Sequence, residues 1–265
     1  MAGGPGMETP DEQLPVARRE RPRFLAYHKW DRNFYLAFLA ASWLGVLMGF
    51  VPAAAKRFAG HASYPAPLIL EIHAFAFTAW MVLLTAQIGL IRTRHPKLHM
   101  KLGLVAVALI PIMAISGSLS EIYGQRFRLV HQPPGDLPFL IIAIFDVVLF
   151  TVLACAALVA RKDPATHKRL ILLATTIIVG AAYGRWWGTP LYDLFGEGYL
   201  GLLIYTFAGT DLLLAGAVGY DLLTRKQVHP VYQVAIPVIL ASEIATTIVY
   251  HAPGWLPIAR TLIGR

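Results

Sequence analysis

The fold class this sequence predicts is an all-α polytopic membrane protein. It has seven transmembrane helices, two duplicated helix hairpins and a cytoplasmic N-terminus. Three observations predict it. Hydrophobic residues make up 57% of the chain and charged residues 14%, with a mean hydropathy of +0.57. Soluble domains are about one-quarter charged, so too little polar surface is left here to face water. Seven apolar runs are also each long enough, at about 1.5 Å per residue, to cross or nearly cross a hydrocarbon core of about 30 Å. Finally, the basic turn from Arg94 through Pro96 and His99 to Leu102 returns from Lys162 through Pro164 and His167 to Leu170, displaced by 68 positions (167 − 99).

Taken in order, residues 1–26 are rich in Gly and Pro, with Arg18, Arg19, Arg21 and Arg23 close together. No apolar core precedes them, so they read as a disordered, basic cytoplasmic tail and not as a cleaved signal peptide. Residues 27–265 form the seven-helix domain. Tyr27, Lys29, Trp30 and Tyr35 supply an interfacial belt before the first span. The spans are expected at Phe34–Val51, Leu68–Ile91, Leu102–Leu119, Phe139–Ala160, Leu170–Trp187, Leu200–Leu223 and Val231–Tyr250. The first and third are the shortest, and the fifth turns polar at its end.

Basic residues set the orientation. The tail and the turns at 92–101, 161–169 and Arg225-Lys226 alternate to one side, while the opposite loops hold only Lys56, Arg57, Arg126, Arg128 and Arg185. This places the N-terminus in the cytoplasm of a bacterial cell, the C-terminus outside, and the chain in the inner membrane. The net charge of +8 is thereby assigned to membrane topology, with the lipid bilayer as partner and no nucleic acid. Cys155 lies inside a span, so no disulfide within the chain is available. The outer segments 59–67, 123–138 and 186–198 are rich in Gly, Pro and aromatics, as loops that cap helices or fold over an outer site are. The repeat makes spans two-three and four-five equivalent, in parallel, as a pseudo-symmetric four-helix core with spans one, six and seven around it. Inverted repeats are common in transporters, and this one is not inverted.

Two groups of residues offer chemistry. His99 and His167 start helices at the basic face. They read either as interfacial anchors near lipid headgroups or as a matched pair able to hold haem, a metal or a quinone carbonyl. The second group lies within the membrane. Asp146, Asp211 and Glu243 sit at a common depth of about 20 Å from the basic side, with Arg185 within side-chain reach of that layer and His73 and Glu71 somewhat further out. A carboxylate there costs at least about 2.5 kcal/mol, so such groups face the interior and find partners. The expectation is one convergent outward-facing polar site made of His73, Asp146, Arg185, Asp211 and Glu243. It is either a structural ion network or a place for a proton, a metal or an anionic headgroup. No His-x-x-x-His or His-Glu-x-x-His spacing marks a metal, so no metal ligands are assigned. Gly180, Gly184 and Gly188 read as a helix-packing ladder. Span seven has no lysine for a retinal Schiff base, and no nucleotide or hydrolase fingerprint occurs.

His73–Trp80, Gln87, His95–Gly103, Phe145-Asp146 and Pro164–Leu170 together resemble a group of bacterial multi-spanning membrane proteins of unassigned function. That group pairs a histidine-rich second span with a His-basic-x-Leu turn. The resemblance covers residues 68–185 and implies a membrane-embedded bundle without supplying an activity. Some members carry histidine where Glu71 stands, a departure that bears on any two-histidine site in span two. The function expected is a binding or transport role at the polar site. The alternatives are a b-type haem or quinone-linked redox protein, or an accessory subunit of a larger membrane complex.

Overall fold

The computed structural model describes residues 24–62, 65–131 and 136–265, which are helical with no strand among them. The helices are α1 (Asp31–Phe58), α2 (Leu68–Arg92), α3 (Pro96–Leu102), α4 (Val105–His131), α5 (Leu140–Val159), α6 (Pro164–Phe195), α7 (Tyr199–Arg225), α8 (Pro230–His251) and α9 (Trp255–Leu262). With α3 and α4 taken as one broken span, seven are long and apolar enough to cross a membrane. The tail expected over residues 1–26 lies outside the described residues except for Phe24, Leu25 and Ala26.

Local chemistry explains the starts. Pro96, Pro164 and Pro230 open α3, α6 and α8, where a missing N–H costs nothing. The Asp163 side chain caps α6 by accepting from the N–H groups of Ala165 and Thr166. Gly196 and Gly198 turn the chain from α6 into α7 at φ values of 69° and 101°, which only glycine adopts freely.

The helices run further than the apolar runs suggest. The segments 123–138 and 186–198, expected as loops, are instead helical to His131 and Phe195. Polar contacts carry these ends beyond the apolar stretch. Gln125 and Arg128 both donate to Glu121, and the Phe127 and His131 rings stack at 4.3 Å. The short α9, unmarked in the sequence, docks through Trp255, Ala259 and Ile263. Its Trp255 indole donates to the Pro138 carbonyl.

Spans two to five do pack in order, yet the centre of the bundle is α6. In its most apolar window 61% of residues are buried, against 22–39% for the other spans, and it packs against α1, α5 and α7. It is also the least apolar span, and in a bilayer the span with small and hydroxyl residues belongs inside. Trp80 Nε1 donates to Thr175 Oγ1 at 3.1 Å, and the Tyr183 hydroxyl donates to the Ala41 carbonyl at 2.9 Å. The expected shared four-helix core thus gives way to one central helix.

Candidate functional site

Helices α5, α7 and α8 bring Asp146, Asp211 and Glu243 to one level. Each lies 13 or 14 residues from its helix's basic end (159 − 146, 225 − 211 and 243 − 230), or about 20 Å. The carboxyls of Asp211 and Glu243 are within hydrogen-bonding reach of each other, and Asp146 is close enough to act electrostatically on Glu243. Glu243 is 5% exposed. Asp211 Oδ1 and Glu243 Oε1 find no donor among the described residues, so one proton held between the two carboxyls satisfies both. Thr247, one turn along α8, is buried with its hydroxyl unpartnered.

Arg185 and His73 belong elsewhere. The Arg185 guanidinium donates to the Ala181 carbonyl of its own helix, lies 4.8 Å from the centre of the Phe50 ring, and has His73 as an electrostatic neighbour. His73 packs on Phe77 at 4.2 Å with its Nδ1 unpartnered. Among the described residues, no cation acts on Asp146, Asp211 or Glu243. The five residues therefore form two groups: three carboxylates, and a His73–Arg185 pair. No set of three or more His, Cys, Asp or Glu among the described residues is placed to hold a metal ion.

His99 and His167 do meet, with ring centres 6.3 Å apart and planes at 86°. They lie at the basic end, on α3 and α6.

The densest electrostatics also sit at that end, and sequence reasoning passed them by. Arg169 makes a two-pronged, fully buried ion pair with Asp221. Arg225 donates to both Asp31 oxygens, and Lys168 and the Tyr220 hydroxyl also donate to Asp31. Phe24 lies 4.5 Å from the Arg169 guanidinium, and Arg225 donates to the Leu25 carbonyl. These contacts tie the end of the tail to the bundle. In the sequence, Lys168, Arg169 and Arg225 stand out only as orientation markers. The available signal was an acid, Asp31 or Asp221, within a turn of a helix end in the same layer.

His229 joins this layer as the cap of α8, accepting from the Val231 N–H through Nδ1 at 3.2 Å. Burial, and next the Arg169 charge, hold its pKa down at about 4, while Asp221 and Asp163 pull weakly the other way. The unfolded chain, with an ordinary histidine near 6.5, then binds more protons between those two values. Folded stability should accordingly fall as pH drops from about 6.5 to about 4, with no contribution from this group at higher pH. Unfolding of the wild type and of His229→Asn, which keeps a capping oxygen, checks this. The variant should show the shallower acid-side slope, and equal slopes would refute the assignment.

In comparisons with known proteins, no family model, curated protein or solved structure matches the chain.

Proposed function

We propose that the protein is a multi-pass protein of a bacterial inner membrane with its N-terminus in the cytoplasm. Its Asp146–Asp211–Glu243 cluster takes up a proton or small cation from the outer side, in a binding or transport role. The observation that carries this reading is the Asp211–Glu243 pair, two acids in contact at bilayer depth with a third beside them and no cation among the described residues acting on them. Intramembrane acids are costly and mark proton and ion paths. Structural ion pairing, the competing account, asks for a cation, and none among the described residues acts on these three acids. The parallel repeat is part of the same reading. Hairpins two-three and four-five are duplicates related by an axis along the membrane normal, and the contact between His99 and His167 supports it.

The test is reconstitution in liposomes with a pH dye inside, together with the infrared band of protonated carboxyls. Glu243→Gln and Asp211→Asn should fold, lose part of the protonated-carboxyl band, and abolish proton or cation-coupled pH change across the vesicle. An Asp211→Asn/Glu243→Gln double variant with unchanged band and flux would remove the proposal.

A further inference from the structure

We propose that His99 and His167 form a two-imidazole site for a metal centre that takes nitrogen ligands in trans, either the iron of a haem or a copper(I) ion. This site lies at the basic end of the bundle, about 20 Å from the level of the carboxylate cluster, and stands independently of it.

The first argument is distance. Metal–nitrogen bonds of about 2.1 Å, with about 1.1 Å from nitrogen to ring centre, put two trans imidazoles about 6.4 Å apart centre to centre. A tetrahedral pair, by the same bond lengths, would sit at about 5.2 Å. The observed separation is 6.3 Å. The planes stand at 86°, and two imidazoles on one metal can hold any such angle when both ring nitrogens lie on the ligand axis.

Tautomer is the second argument. His167 Nδ1 lies 2.8 Å from the Ala157 carbonyl. A carbonyl only accepts, so Nδ1 carries the hydrogen and Nε2 keeps its lone pair. Metal-bound histidines are commonly held in this way, the other ring N–H donating to a backbone carbonyl. His99 has the Gln87 backbone within reach of its ring, and its Nδ1 is buried without a partner. A buried polar atom left unsatisfied costs about 1–3 kcal/mol, which a bound metal would recover.

Charge narrows the class. The flanking turns carry Lys97, Lys101, Arg161 and Lys162, which oppose a bare divalent cation held by only two neutral ligands. A haem brings two carboxylates that such residues pair with, and copper(I) brings a single positive charge and accepts imidazole. Both take two nitrogens in line.

The experiment uses the full chain purified in detergent and stripped of metal. It is titrated with haem in one arm and with copper(I) buffered by bicinchoninate in the other. One equivalent should bind in one arm. Haem would give a low-spin bis-imidazole spectrum, and copper would be withdrawn from the chelator one per chain. His99→Ala and His167→Ala should each weaken binding by about tenfold or more. His95→Ala, an exposed histidine in the same turn, should leave it unchanged. His99→Gln and His167→Gln serve where an alanine variant does not fold. Binding in neither arm, or binding unchanged in folded His99 and His167 variants, would overturn the site.

Discussion

Asp221→Ala is expected to destabilise the folded protein by about 3–5 kcal/mol, because it strands a buried guanidinium. Arg169 and Asp221 side chains are each 1% exposed. The carboxylate accepts from Arg169 through both oxygens and from the His229 N–H at 3.2 Å, and Arg225 stands 3.7 Å from it. Losing it leaves two guanidiniums facing each other with a backbone N–H unmet. Arg169→Met/Asp221→Ala should recover a substantial part of the loss, since no charge is then left without its partner and Arg225 keeps Asp31. Arg128→Ala is the comparison, since it leaves the Glu121 bond to buried Gln125 in place. The Arg128 ion pair with Glu121 at 3.1 Å joins side chains 40% and 21% exposed, and such pairs contribute about 1 kcal/mol or less. Unfolding in mixed micelles with increasing denaturing detergent reads all three. A cost for Asp221→Ala no larger than that for Arg128→Ala would refute the buried-pair account.

This contrast shows which features the sequence reveals and which it does not. The spans are legible because the bilayer admits only unbroken apolar helices, and depth is legible because rise per residue is constant. Counting alone puts Asp146, Asp211 and Glu243 at one level. Rotation about the helix axis is a second coordinate that counting leaves open. Tyr183 and Arg185 both reach α1, the one at the Ala41 carbonyl and the other at the Phe50 ring, whereas the acids stand on α5, α7 and α8. Depth alone could not separate Arg185 from the acids. The pairing of Asp31 with Arg225 spans 194 positions and has no local signature at all. The meeting of His99 and His167 lies between these cases, since the repeat put them at one depth but did not set their separation.

The same distinction governs the glycines, and a large packing effect is expected at Gly49. A Cβ there would come 2.3 Å from the Ala182 carbonyl oxygen and 2.9 Å from its Cα. Those atoms belong to the backbone of the central helix and cannot swing aside, so α1 must move away from α6. Gly45, one turn earlier, meets the Tyr183 ring at 2.6 Å, and that ring is itself anchored to Ala41. Overpacking of this kind costs about 1–3 kcal/mol, so Gly49→Ala should lower stability by that amount and Gly49→Leu by more. Gly188, the third step of the ladder read in the sequence, has nothing within 4 Å of an added Cβ. Gly188→Ala should be neutral or stabilising by up to about 1 kcal/mol, as expected when alanine replaces an unconstrained helical glycine. The same unfolding assay separates a glycine held against a neighbouring backbone from one that faces open space. Equal costs at 49 and 188 would refute the close approach of α1 to α6. A loss at 49 with none at 188 places the contact that seats α1 on the centre of the bundle.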